Sequence, residues 1–202
     1  MRIGIDFDNT IACYDGVFHR AAVDRGLIPP DVGMSKNAVR DHLNSSGRKE
    51  AFTELQGWIY GPGMDLVSPY PGFDIFVDAA VGVGHAIFIV SHKTRTPLAG
   101  PAYDLHSAAR NFLDLRDITG PNRIAADAIF FEETKEAKVA RIGELDCDVF
   151  IDDLPEILTM RGFPDETKAL LFDPLRHHNG DHPALHHVGS WEEIGELLIT
   201  LG

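Results

Sequence analysis

Short apolar runs alternate with helical stretches along most of the chain, and that alternation sets the fold class. Arg2 to Asp6 is an apolar strand that runs into acidic residues. Phe73 to Val81 has apolar residues at helical spacing (Phe73, Phe76, Val77, Ala80), and Gly82 follows as a residue suited to the C′ position. His85 to Val90 is a continuous β-rich run, as expected of a strand buried on both faces. Next come an amphipathic helix (Asp104 to Leu115), a strand (Ala128 to Phe131), a helix (Lys135 to Leu145) and a strand (Val149 to Ile151). A short helix (Leu154 to Met160, Pro155 near its start), a strand (Ala169 to Phe172) and a last helix (Trp191 to Leu201) capped by Ser190 complete the pattern. Strands and helices in this order imply a parallel sheet covered on both faces, a Rossmann-like three-layer α/β/α arrangement. Ligands in such folds bind beyond the carboxyl ends of the strands, so chemistry is expected just after Asp6, Val90, Phe131 and Ile151.

The rhythm breaks once. Between Thr10 and Pro71 there is no buried strand, only helix-like polar sequence with loop signals at Pro29-Pro30, Ser45-Ser46-Gly47 and Gly61-Pro62-Gly63. That is too long for an ordinary βα connection. It reads as a small α-helical cap, residues 14–71, inserted into a core made of residues 1–13 and 72–202 and sitting over the active site.

Charge narrows the partners. Lys and Arg number 18 against 31 Asp and Glu, a net charge of −13. Such a chain is poorly suited to a nucleic acid polymer or an anionic membrane, both of which are held by Lys and Arg. A small anionic substrate stays compatible, because a metal and a few cations reverse the sign within one pocket. Cys13 and Cys147 fit no zinc or redox spacing and read as reduced thiols of a cytoplasmic protein. Met1 to Thr10 has three charged residues in a strand-like pattern, unlike a signal peptide, and the longest apolar run, Ala86 to Val90, is too short for a bilayer. Oligomeric state stays open, a homodimer included.

Four stretches can carry chemistry. In Asp6-Phe7-Asp8-Asn9-Thr10 the two carboxylates lie on one side of an extended chain. They suit a nucleophile beside a proton donor, or a pair of metal ligands, although a solvated turn has the same pattern. Ser91 follows an apolar strand and precedes His92-Lys93-Thr94-Arg95. A hydroxyl backed by basic residues can hold phosphate oxygens, and a turn or cap serine is the bland alternative. Asp152 and Asp153 end another apolar strand, where adjacent carboxylates are costly unless a cation shares them or one caps the next helix. Thr134 is placed to cap a helix carrying Lys135 and Lys138, either of which could reach a phosphate. Lys135 aligns with Val139 and Ile142, Lys138 with Ile142 and Leu145, so spacing does not choose.

In this order the four stretches resemble the haloacid dehalogenase superfamily, the large family of aspartate-nucleophile phosphatases, from Asp6 to Asp153. The resemblance implies that Asp6 attacks phosphorus to form an aspartyl-phosphate, while Asp8 protonates the leaving oxygen and then accepts a proton from water. It implies Mg²⁺ held by Asp6, by the Asp8 backbone carbonyl and by Asp152 or Asp153, and phosphate held by Ser91, His92 and Lys138 or Lys135. Dehalogenases of the superfamily lack the second aspartate, because a halide leaves without a proton, so Asp8 favours phosphoryl chemistry. The implied substrate is a small-molecule phosphate ester. A nucleotide monophosphate or a sugar phosphate fits, and the Asp-Asp pair tips slightly toward nucleotides. A phosphomutase or phosphotransferase using the same residues, or a non-catalytic binding module, are the alternatives.

Other features carry less. Gly82-Val83-Gly84 precedes a strand instead of following one, which excludes a dinucleotide fingerprint. His177, His178, His182, His186 and His187 fit no closed zinc spacing and read as a surface loop. Trp58 and Tyr60 fit either a stacking platform or the insertion's own core, and Arg40, His42, Arg48 and Lys49 share that doubt as specificity contacts.

Overall fold

A computed structural model describes residues 1–178 and 181–201. In chain order the elements are β1 (Arg2–Ile5), β2 (Ala12–Cys13), α1 (Val17–Asp24), α2 (Lys36–Ser45), α3 (Lys49–Tyr60), β3 (Ser68–Pro69), α4 (Phe73–Gly82), β4 (Ala86–His92) and α5 (Leu105–Leu115). They continue as β5 (Ile129–Glu132), α6 (Lys135–Glu144), β6 (Val149–Asp152), α7 (Pro155–Leu158), β7 (Lys168–Phe172), β8 (His186–Val188) and α8 (Trp191–Leu201). The chain forms two compact units. One comprises Met1–Ala12, Pro69–Lys93 and the described residues from Arg116 onward, and the other Cys13–Ser68 and Thr94–Leu115.

The first unit is built on a parallel six-stranded sheet of order β5-β4-β1-β6-β7-β8. β1 sits inside it, with Ile3 and Ile5 opposite Ile87 and Ile89 on one side and Val149 and Ile151 on the other. The chain first adds strands on the β4 side, then returns to add them on the β6 side. β1 therefore lies where the strand order reverses, the position at which open α/β sheets bind ligands.

Both faces are covered. On one, Val90, Phe150 and Leu171 pack with Val139 and Ile142 of α6 and Ile157 and Leu158 of α7. The other carries an aromatic group in which Trp191 of α8 meets Phe73, Phe76 and Phe172 at centroid distances of 4.7, 4.8 and 5.5 Å. The three-layer reading of the sequence thus holds.

The sheet explains one glycine. A Cβ on Gly4 would lie 2.5 Å from Cδ2 of Phe150 and 2.9 Å from Sγ of Cys147. Both neighbours are buried in the same layer, so neither can move aside cheaply. Gly4→Ala is expected to cost about 1–3 kcal/mol, the usual range for overpacking, read as a lower urea midpoint at unchanged m-value.

Three local expectations change. Gly82 remains helical, and the C′ role belongs to Gly84 at φ +83°. There the Gly84 N–H donates to Val81 O (2.9 Å) and the His85 N–H to Ala80 O (2.9 Å), closing a Schellman motif. β4 runs on to His92 because β5 continues to pair with it, Ser91 opposite Phe131 and His92 opposite Glu132. Part of the histidine-rich segment is a strand, β8, parallel to β7 with Phe172 opposite Val188. Residues 179 and 180 of that segment lie outside the described residues. The caps expected of Thr134 and Ser190 are present, each hydroxyl accepting a backbone N–H at 3.1 Å.

The second unit holds α1, α2, α3 and α5, so it takes in Thr94–Leu115 beyond the insertion read at residues 14–71. Close approach binds the two stretches. A Cβ on Gly57 would lie 2.6 Å from Cβ of Pro97, and one on Gly61 2.9 Å from Cβ of Tyr103. Tyr14, Phe18, Phe52 and Tyr60 form its aromatic centre. The Tyr60 hydroxyl accepts from Lys36 Nζ (2.9 Å), and Trp58 lies 3.7 Å beneath the Arg25 guanidinium. Both aromatics therefore serve the unit's own packing. Arg40, Arg48 and Lys49 are exposed and His42 is half-buried.

Candidate active site

The site grows from the carboxyl end of β1. The Asp6 N–H donates to Ile151 O of β6 (2.9 Å), extending the ladder by one rung. The chain then turns sharply, with the N–H groups of Ile11 and Ala12 both donating to Phe7 O (3.0 and 2.9 Å). Asn9 holds the turn at φ 56°, a left-handed conformation that asparagine tolerates better than most residues. Phe7 is fully buried, edge-on to Phe131 at 5.9 Å. Its two neighbours, Asp6 and Asp8, each meet a lysine.

Lys138 meets Asp6. Its Nζ lies 2.5 Å from Asp6 Oδ1 and 2.6 Å from Asp152 Oδ2, with the side chain 1 % exposed. The Thr134 cap starts α6 so that Lys138, four residues on, points at the strand ends. Asp152 uses its other oxygen to accept the Leu154 N–H (3.0 Å), bracing the turn into α7. Neither Asp152 nor Asp153 is the N-cap of that helix, which is Leu154. Lys135 is elsewhere: its side chain is 40 % exposed and its Nζ lies 2.5 Å from Glu156.

Asp6, Asp152 and Asp153 present carboxylate oxygens within 4.8 Å of one another. Burial pushes the Asp6 carboxyl up to about 7; the charges of Asp152 and Asp8 add to the rise, and Lys138 offsets only part of it. Burial, then Asp152 and Asp6, hold Asp153 well above the usual carboxylate range. For Lys138, burial opposes the charge, but Asp152 and Asp6 outweigh it and raise the ammonium above the ordinary lysine value.

Lys93 meets Asp8. Its Nζ lies 2.8 and 3.1 Å from the two Asp8 oxygens, with the lysine side chain 2 % exposed. The sequence reading missed this residue as an individual. The signal was available, since period two puts Lys93 on the side of Ser91. Ser91 is buried at the end of β4 and His92 is half-buried beside it. Thr10 is fully buried; its carbonyl accepts from Trp191 Nε1 (3.2 Å), and its Oγ1 is without a partner among the described residues.

Asp6, Asp152 and Asp153 thus crowd their carboxyl oxygens around one ammonium, that of Lys138, while Asp8 meets Lys93, and burial together with mutual repulsion disfavours the charged forms of Asp6 and Asp153. An all-oxygen donor set whose charged forms need a cation beside them fits a hard divalent ion such as Mg²⁺. The histidines form no such group among the described residues. His177 and His178 instead donate backbone N–H groups to the Asp173 carboxylate at 2.7 and 2.8 Å.

The fold is a parallel α/β sheet with a lysine-bridged acidic cluster beyond the carboxyl end of β1, and the chain enters a helical unit directly after that strand. Solved structures share this fold. A predicted phosphatase from Clostridium acetobutylicum superposes with a TM-score of 0.60 at 11% identity, covering 98% of each chain. A haloacid dehalogenase-superfamily hydrolase from Ehrlichia chaffeensis gives 0.57 at 12% identity, covering 99% of this chain and 96% of the other. A dehalogenase gives 0.56 at 14% identity, covering 97% and 96%. The chain has the haloacid dehalogenase-superfamily fold. No protein-family model matches it, and no curated protein matches its sequence.

Proposed function

We propose that this protein is a Mg²⁺-dependent phosphomonoester hydrolase that works through an aspartyl-phosphate on Asp6. The observation that carries the reading is the buried Asp6 carboxylate, held by Lys138 next to Asp152 and Asp153, with a second carboxylate two residues on. Asp6 attacks phosphorus and the bond to the leaving oxygen breaks. Asp8 gives that oxygen a proton, then takes one from the water that opens the acyl phosphate. Lys138 and the Ser91 hydroxyl face the phosphoryl oxygens as negative charge spreads over them, with His92 beside them. Asp6, Asp152 and Asp153, with the Asp8 backbone carbonyl, would hold Mg²⁺, which supplies charge neutralisation between carboxylate and phosphate.

Asp8 separates the reading from dehalogenation, since a halide needs no acid. The second unit is assigned selection of a small leaving group, a nucleoside or a sugar. No helix among the described residues is long and apolar enough to cross a membrane, and the cysteine usage supports a cytoplasmic setting.

A screen of nucleotides, sugar phosphates and phosphorylated acids with Mg²⁺ tests the proposal. Release of inorganic phosphate supports it, and transfer of the phosphoryl group to a sugar would assign a phosphotransferase instead. No turnover of any ester, together with no binding of beryllofluoride, overturns it. Mg²⁺ itself is expected to raise the unfolding temperature. At a concentration of about 100 times Kd the gain is about 2.7 kcal/mol, and it disappears in Asp153→Asn. Equal shifts in wild type and variant would remove Asp153 from the ligand set.

A further inference from the structure

We propose that Lys93 is a positioning residue for Asp8: it fixes the plane and direction of that carboxylate so that one oxygen meets the leaving group and then the water. The inference rests on the reading of Asp8 as the acid–base group.

Three observations carry it. Lys93 continues β4 by one residue, its N–H donating to Glu132 O of β5 at 2.8 Å, so its backbone is tied to the sheet and not to a free loop. The side chain is nearly fully buried, and its ammonium sits 5.3 Å from the centroid of the buried Phe7 ring, which borders it on another side. From that seat Nζ reaches both oxygens of Asp8, at 2.8 and 3.1 Å. A contact to one oxygen would leave the carboxylate free to rotate about its terminal torsion, whereas a contact to both restrains that rotation.

The need for such a restraint is local. Asp8 stands on a tight turn and its side chain is 19 % exposed, so burial alone does not hold it. Lys138 is engaged by Asp6 and Asp152, and it is Lys93 that meets the Asp8 carboxylate. A proton donor must sit within hydrogen-bond reach of the leaving oxygen and keep that position when it turns to water. Orientation of this kind contributes to the barrier and not to substrate affinity. In the first step the proton on one Asp8 oxygen passes to the leaving oxygen as the P–O bond breaks, while the other oxygen stays with Lys93. In the second step the freed oxygen takes a proton from the attacking water.

The test uses the full chain with Mg²⁺ and two esters of similar shape, 4-nitrophenyl phosphate and phenyl phosphate. The second has the more basic leaving group and depends more on the acid. Lys93→Met is expected to lower kcat on phenyl phosphate roughly ten-fold more than on 4-nitrophenyl phosphate, a fraction of the 10²- to 10⁴-fold that a general acid supplies. KM should change little, and Lys93→Arg should recover part of kcat. In an Asp8→Asn background, Lys93→Met should add no further leaving-group dependence. Equal losses on both esters, or the same added dependence without Asp8, would show a merely structural lysine and overturn the proposal. If Lys93→Met does not fold, Lys93→Gln carries the same comparison. A wild type that turns over neither these two esters nor any ester of the wider screen, and binds no beryllofluoride, overturns the phosphatase reading itself, and this inference with it.

Discussion

Asp6→Asn is expected to lower phosphate release by about three orders of magnitude or more, the scale seen when a covalent nucleophile is removed. The amide has the shape of the carboxylate but cannot attack phosphorus. Stability should not fall with activity. Asp6 is a buried carboxylate crowded by Asp152 and Asp153, and burial dominates its upward shift to about 7. A neutral side chain of equal volume relieves that crowding while Lys138 keeps its bond to Asp152. The urea midpoint of the variant should therefore equal or exceed that of wild type. Activity within ten-fold of wild type, with the variant folded, would remove Asp6 from the nucleophile role.

Lys138→Met and Lys135→Ala should give opposite results although the two lysines lie three residues apart. Lys138 is the cation between Asp6 and Asp152 inside the protein, at 2.5 and 2.6 Å. Removing one partner of a buried ionic group leaves uncompensated charge and typically costs 3–5 kcal/mol. Methionine fills most of the volume, so the loss should be electrostatic, and Mg²⁺ should restore part of it. Phosphate release should fall at least about 10²-fold, comparable to the loss of one strong charge-stabilising donor. Lys135 pairs with Glu156 at a side chain 40 % exposed, where such pairs contribute about 0–1 kcal/mol. Lys135→Ala should therefore stay within a few-fold of wild type in activity. Equal, mild losses in both variants would show that neither lysine holds phosphate.

Much of the core was legible because its signals are local. A buried parallel strand is a short apolar run, and its helices carry one apolar face, so β1, β4, β6 and β7 stand out. Where the reading slipped, the deciding contact was remote. β8 looks like a polar loop because it is the last strand of the sheet, and only pairing with β7 makes it a strand. α5 shows an apolar face at Leu105, Ala109, Phe112 and Leu113, but a face does not say what it will cover. Its place in the second unit depends on Pro97 and Tyr103 reaching Gly57 and Gly61.

The amino-acid sequence by itself determined that carboxylates stand at the ends of two apolar strands, and that a parallel sheet gathers those ends on one side. Both follow from the period of a strand and the handedness of its crossovers. Only the tertiary structure decided which ammonium meets which carboxylate. Lys93 and Asp8 are 85 residues apart and Lys138 and Asp6 are 132 apart. Those distances close only when β4, β1 and β6 lie side by side, and an ion pair depends on position in space, which spacing along one helix or strand cannot supply.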